Sequence, residues 1–257
     1  MTAPFAGLVA VVTGGGSGIG LATALLLRDR GASVWCLDAA EGETADGTRR
    51  LRCDVRDGAS VAAALAEVGA AEGRIDVLVN NAGISAVGTV EAFDEDEWAR
   101  VLDVNVVGMA RMSAAALPWL RRSDHASIVN VCSIAALNGL PDRALYSASK
   151  GAVYALTLAM ATDHVGEGIR VNAVSPGTVE TPFVTRMLEG FADPVAERRA
   201  LEDRQATRRL VQPEEVARAI AYLADPDATS TTGTILDVDG GVTRLRVRPD
   251  APGSEPS

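Results

Sequence analysis

Thr13-Gly14-Gly15-Gly16-Ser17-Gly18-Ile19-Gly20 is the stretch that decides the fold. It follows the apolar run Leu8–Val12, which reads as a buried strand, and leads into the Ala- and Leu-rich segment Ile19–Arg30, which reads as a helix. The spacing is TGxxxGxG rather than GxGxxG, with Gly14, Gly18 and Gly20 as the useful glycines. The physics of the two patterns is shared. Glycines allow a tight turn and close backbone approach, and the helix that follows turns free N–H groups and a positive dipole end toward a pyrophosphate. A glycine-rich loop alone is also a plain turn. Between a strand and a helix, with an acid ending the next strand, it marks a dinucleotide site. That acid is Asp38, closing the strand Ser33–Leu37. A carboxylate there accepts hydrogen bonds from an adenosine ribose and repels a 2′-phosphate, and the neighbouring Ser17 and Ala39 supply no base to hold one. The expected cofactor is therefore NAD rather than NADP.

Outward from this unit, apolar strand-like runs alternate with helical patterns, which predicts an α/β domain with a parallel sheet. Arg50–Cys53 reads as a short third strand, Val61–Val68 as part of a helix, and Ile75–Asn80 as a fourth strand broken by Asn81-Ala82-Gly83. Glu97–Arg121 carries one long helical pattern, with Pro118 expected to distort its last turn. Ser127–Cys132 and Ile169–Val174 read as strands on either side of the helix Ala144–His164, and Pro213–Leu223 and Ile235–Val238 as a last helix and strand. Residues 178–212 are polar, Arg-rich and weakly periodic, and too long for an ordinary connection. A lid or substrate loop is expected there, because Phe183, Met187, Leu188 and Phe191 fall at helical spacing. One domain over 1–241 and a flexible polar tail over 242–257 account for the whole length.

The chain has 257 residues, of which 47% are hydrophobic, enough for one substantial core. A formal net charge of −10 argues against nucleic acid, whose phosphates call for a basic footprint, and against an anionic membrane surface. No apolar run reaches the length of a transmembrane helix, and the first residues lack the basic region of a signal peptide, so a cytoplasmic protein is expected. Cys36, Cys53 and Cys132 are too scattered for a disulfide or zinc framework, and His125 and His164 have no ligand partner at short spacing, so no metal is expected. No GxSxG elbow occurs, which speaks against a serine hydrolase.

Tyr146-Ser147-Ala148-Ser149-Lys150 opens a predicted helix, placing Tyr146 and Lys150 on one face. An ammonium beside a phenol stabilises the phenolate. Ser133, ending the strand before, can hydrogen-bond the oxygen that a substrate would present. Together with TGGGSGIG, Asp54-Val55, NNAG, Asn105, PGTVETP and the terminal DGG, these residues make the chain resemble the classical short-chain dehydrogenase/reductase family over residues 7–241. The resemblance implies a doubly wound Rossmann fold, a seven-stranded parallel sheet ordered 3-2-1-4-5-6-7, and a homotetramer packed through the helices around 97–121 and 144–164. It implies that Ser133 polarises the substrate oxygen, that Tyr146 is the general base or acid, and that Lys150 binds the nicotinamide ribose and supports Tyr146. Asn105 would hold a water relaying the proton to solvent. Asp54 and Val55 would contact adenine, Asn81, Ala82 and Gly83 would back the adenosine ribose, and Pro176, Gly177, Val179 and Thr181 would enclose the nicotinamide.

For the substrate, Arg143 lies three residues before Tyr146, on the same helical face if the helix begins at Asp142, while Arg186 and Arg204 lie in the loop. Arginine forks suit carboxylates and phosphates. The segment from PGTVETP to DVDGG resembles dehydrogenases of 2-keto-3-deoxy sugar acids and the cytosolic type of 3-hydroxybutyrate dehydrogenase. Those relatives carry an arginine at the positions of Arg143 and Arg204, but place their further one where this chain has Met187. The resulting expectation is NAD-dependent oxidation of a secondary alcohol on a small, acidic hydroxy compound. The alternatives are a reductase of 3-oxoacyl thioesters or polyketide-type ketones, and an idle NAD-binding regulator.

Overall fold

The computed structural model describes residues 3–42 and 45–247. Its strands are β1 (Val9–Thr13), β2 (Ser33–Asp38), β3 (Arg49–Arg52), β4 (Val77–Asn80), β5 (Ser127–Val131), β6 (Arg170–Pro176) and β7 (Ile235–Val238). The helices are α1 (Gly18–Asp29), α2 (Gly58–Glu72), α3 (Glu95–Leu102), α4 (Gly108–Leu120), α5 (Ala144–His164), α6 (Pro182–Leu188), α7 (Pro194–Arg204) and α8 (Pro213–Ala224). The strands pair in parallel in the order β3-β2-β1-β4-β5-β6-β7, as expected.

The strands read as unbroken apolar runs because both faces of the sheet are covered. Along β1 the faces alternate. Ala10 and Val12 pack with Leu27 of α1 and with Val216 and Ile220 of α8, whereas Val9 and Val11 pack with Val61 and Leu65 of α2 and Met112 of α4. The order reverses between β1 and β4, and there the strands' carboxyl ends diverge into a crevice. No helix among the described residues is long and apolar enough to cross a membrane.

Three expectations need correction. The pattern over 97–121 is two helices, α3 and α4, joined by a π-helical turn at Asp103–Val107. An apolar stripe passes through a π turn unbroken, so periodicity does not reveal it. Pro118 lies inside α4, which still runs to Leu120. The 178–212 stretch is not a loop. Thr181 and Asp193 cap α6 and α7, each followed by a proline, and Val184, Leu188, Leu201 and Leu210 bury together beneath them. Phe183 and Phe191, part of the expected apolar spacing, are left substantially exposed. Past Gly241, residues 242–244 continue in a turn in which Thr243 N donates to Asp239 Oδ2 at 2.8 Å. Residues 248–257 of the expected tail lie outside the described residues.

Candidate active site

A cleft of about 620 Å³ runs along the carboxyl ends of the strands, from Asp38 at one end to Arg143 and Arg204 at the other. Every sequence-predicted site residue lines it except Gly20 and Asn105, which stand behind its wall.

At the Asp38 end the chain builds a cradle. Helix α1 opens at Gly18 with no side-chain cap from Ser17 and no acid in its first turn, which leaves its leading N–H groups available to an anion. Gly20 permits the tight crossing above: a Cβ there would stand 2.2 Å from Gly14 O. Thr13 Oγ1 braces the loop from below, accepting from Asn81 N at 2.9 Å and Ala82 N at 3.0 Å. The Asn81 amide donates to Thr13 O at 2.9 Å, so its Nδ2 holds the glycine loop in shape. Asp38 Oδ2 accepts from Gly16 N at 3.1 Å. Asp54 is clamped by Arg56, whose Nη2 lies 2.8 Å from Oδ2, and this clamp lowers the Asp54 pKa. Sequence reading missed Arg56, which also lines the cleft. An elongated cleft with open helix N–H groups in its middle and a carboxylate at the end of β2 suits a dinucleotide.

Ser133, Tyr146 and Lys150 line the same cleft. Ser133 follows β5 and accepts from Ala135 N at 3.1 Å, which fixes its hydroxyl oxygen over the first turn of the segment beyond. Tyr146 and Lys150 stand one turn apart on α5, with Lys150 Nζ 5.7 Å from the Tyr146 ring centroid. Lys150 is buried and donates to Val131 O at 3.0 Å, which ties the helix to the end of β5. Asn105 sits in the π turn with its side chain fully engaged. Oδ1 accepts from Ile84 N at 2.8 Å, and Nδ2 donates to Ile84 O at 2.9 Å and Ser149 Oγ at 3.1 Å.

At the far end the expected helical face for Arg143 is corrected. Arg143 is the residue before α5, outside the helix, and Asp142 before it has φ 54°. A parallel bridge to Gly88 holds Arg143 in place. Its guanidinium is half-buried, donating to Ala86 O at 3.2 Å and touching Met187 Sδ at 3.2 Å. Among the described residues no carboxylate lies within ion-pairing distance of it. Burial lowers its pKa, and the positive charge of Arg204 lowers it further. Arg204 enters from the end of α7 and Arg186 from α6, so residues from three elements face one chamber. Leu140, Phe183, Met187 and Leu201 supply its apolar wall. Met187 thus contacts Arg143 and adds no charge to the chamber.

Such a fold with such a cleft defines a dinucleotide-dependent oxidoreductase. The family model described as Enoyl-(Acyl carrier protein) reductase matches residues 14–243. The chain is 42% identical over 253 residues to cis-4-hydroxycyclohexanecarboxylate dehydrogenase of Sinomonas cyclohexanicum, covering 94% of this chain and 98% of that protein. It is 38% identical over 243 residues to meso-2,3-butanediol dehydrogenase of Serratia marcescens, covering 91% and 94%. The ligand-free structure of Thermoplasma acidophilum aldohexose dehydrogenase superposes with a TM-score of 0.89 at 34% identity, covering the whole of both chains. The chain belongs to the short-chain dehydrogenase/reductase family, whose members act on CH–OH groups with nicotinamide cofactors.

Proposed function

We propose that this protein is an NAD-dependent dehydrogenase of small acidic hydroxy compounds, oxidising a secondary alcohol to a ketone. The observation that carries the reading is Arg143, a half-buried guanidinium with no ion-paired carboxylate among the described residues, facing the same chamber as Ser133 and Tyr146. A charge withdrawn from water without a counter-ion is costly, and a substrate carboxylate is the group that offsets it. Arg204 adds a second positive charge to that chamber, and Arg186 stands at its more exposed rim. The printed activity of the Sinomonas relative, on a cyclic hydroxycarboxylate, fits this chemistry.

The protein's residues divide the work along the cleft. The α1 N–H groups with Gly14, Ser17, Gly18 and Ile19 hold the pyrophosphate, and Asp38 accepts from the adenosine ribose. Asp54 and Val55 border the adenine, Asn81, Ala82 and Gly83 back its ribose, and Pro176, Gly177, Val179 and Thr181 enclose the nicotinamide. Bound NAD supplies a hydride acceptor at the nicotinamide C4. Ser133 orients the substrate hydroxyl, and Tyr146 takes its proton as the hydride leaves. Lys150 stabilises the phenolate, holds the nicotinamide ribose, and passes the proton on toward a water at Asn105. Residues 1–241 act as one domain in a cytoplasmic homotetramer, with α4 and α5 as its packing helices.

A second reading, reduction of 3-oxoacyl thioesters, draws on the description of the matching family model. A panel of hydroxy acids, neutral alcohols of the same carbon skeleton and acyl-thioesters, run with NAD(H) and NADP(H) in both directions, separates the two. Turnover of free hydroxy acids with NAD supports the proposal. Activity confined to thioesters with NADPH refutes it.

A further inference from the structure

The chamber that holds Arg143 and Arg204 has two walls, and the chain past β7 touches both. One wall is the segment from Ser133 to Arg143, which lines the cleft with Ile134, Leu140 and Arg143. Asn138 lies at its middle. The Asn138 Nδ2 donates to Ile134 O at 2.9 Å and to Thr243 Oγ1 at 3.0 Å, the second bond spanning 105 residues of sequence. The other wall is the end of α7, where Leu201 and Arg204 line the cleft. Just beyond it, Thr207 N donates to Gly240 O at 3.1 Å. Gly240, with φ 61°, lets the two backbones meet: a Cβ there would stand 2.5 Å from Thr207 Oγ1 and 3.2 Å from Gln205 Cβ. Between these two contacts the turn is braced from within. Asp239 is buried, and its carboxylate accepts from Gly241 N and Thr243 N, each at 2.8 Å.

We propose that the turn Asp239–Thr243 is a clasp that sets the separation of Arg143 and Arg204, which makes Asn138 and Thr243 positioning residues for the acidic group of the substrate. The inference rests on the anion reading of Arg143 in the proposed function. Arg204 acts on Arg143 as a like charge, so the two walls repel each other. What opposes that repulsion is the turn, tied to one wall by a main-chain hydrogen bond and to the other by two side chains. The bridge to Gly88 ties the end of the first wall, and the Asn138–Thr243 bond ties its middle. The reacting groups have other supports: Ser133 is set by Ala135 N, and Lys150 by Val131 O. Loss of the Asn138–Thr243 bond therefore loosens the hold on an acid and leaves the proton transfer in place.

The test is steady-state oxidation, with NAD⁺, of a hydroxycarboxylate and of the neutral alcohol of the same carbon skeleton. It compares the full-length chain with T243V, T243S, N138A, N138A/T243V, R143A and R143A/T243V. T243V keeps the shape of the side chain and removes the hydroxyl acceptor. With the acid, T243V and N138A each raise KM about three- to tenfold, the range one hydrogen bond supports, while kcat stays within about twofold. With the neutral alcohol, T243V changes neither constant by more than about twofold. T243S restores the wild-type KM, and N138A/T243V matches N138A, because the same bond is lost in both. R143A/T243V matches R143A, since the clasp acts through that arginine. Should N138A fail to fold, the T243V and T243S pair decides. An acid KM unchanged in T243V overturns the inference. Equal losses on acid and neutral alcohol overturn it too, marking a turn that only stabilises the fold, and so do losses that multiply in R143A/T243V. In those three outcomes a wild type that prefers the acid still upholds the anion reading. A wild type indifferent to the carboxylate removes that reading and the clasp together.

Discussion

Replacing Arg143 by alanine tests the anion subsite directly. A guanidinium carries five N–H donors, and the Arg143 group commits them only to the Ala86 carbonyl and, weakly, to the Met187 sulfur. Its remaining donors face a chamber in which no carboxylate among the described residues pairs with it. Hydrogen bonds to a charged partner contribute about 1.5–3 kcal/mol each, and the repulsion from Arg204 raises the value of any anion that binds between them. Loss of the fork should then cost about 2–3 kcal/mol of transition-state binding, or roughly 30- to 150-fold in kcat/KM. Initial rates with NAD⁺ are measured on a cyclic hydroxycarboxylate and on the neutral alcohol of the same ring. The acid loses the predicted factor, while the neutral alcohol changes by less than about threefold, because its hydroxyl meets only Ser133 and Tyr146. Arg143→Lys keeps the charge without the fork and recovers part of the loss. Equal losses on acid and neutral alcohol would show that Arg143 merely shapes the start of α5, and the subsite argument would fail.

Tyr146→Phe removes the proton acceptor and nothing else in the cleft, so kcat falls by about 10²–10⁴-fold while calorimetric NAD⁺ affinity stays nearly unchanged; retained turnover would disprove its role. Gly20→Ala forces a Cβ against the Gly14 carbonyl at 2.2 Å, and thermal unfolding should show a loss of about 1–3 kcal/mol with weakened dinucleotide binding. Glu215 closes the capping box of α8 and pairs with Arg209 at 2.7 Å, which lowers its pKa from 4.5 to about 2. A depressed carboxyl stabilises the fold above its unfolded value and stops doing so as pH falls through its folded one. Glu215→Gln should therefore lower stability by about 0.5–1 kcal/mol at neutral pH, with the gap to wild type closing between roughly pH 4.5 and pH 2. A gap that is constant with pH would assign the effect to packing.

The parts of this molecule that were legible in sequence are those written in local spacing. The glycine loop sits between a strand and a helix in consecutive residues, and Tyr146 and Lys150 meet because one helical turn separates them. Strands buried on both faces announce themselves as apolar runs. What escaped depends on contacts between distant residues or on unusual backbone. Nothing in the sequence shows that Asp142 takes a positive φ, and that turn lifts Arg143 off the helix into a bridge with Gly88. No period connects Asn138 to Thr243, 105 residues apart; only the folded chain brings them together. Helix α7 buries Leu201 alone of its residues, too little for an apolar stripe, yet Asp193-Pro194 and Thr181-Pro182 carried the same cap-and-proline signal as Gln212-Pro213. Reading that signal at all three places would have found α6 and α7.

An anion subsite on a chain of net charge −10 is less paradoxical than the total suggests. Charges on an exposed surface are screened beyond about 8 Å at physiological salt, so most of the acidic surface acts weakly on a bound carboxylate. Inside the chamber the nearest charges decide. Those come from the residue before α5, from α6 and from the end of α7; of the nearby acids, Glu202 is taken up by Arg198, which also binds Glu180, while Glu197 and Asp142 act on Arg143 without an ion pair. The sheet thus supplies Ser133 and anchors Lys150, and two of the three arginines ride on α6 and α7. Chemistry and specificity are separately encoded, so exchanging residues of α6 and α7 should change which acid is oxidised without touching how.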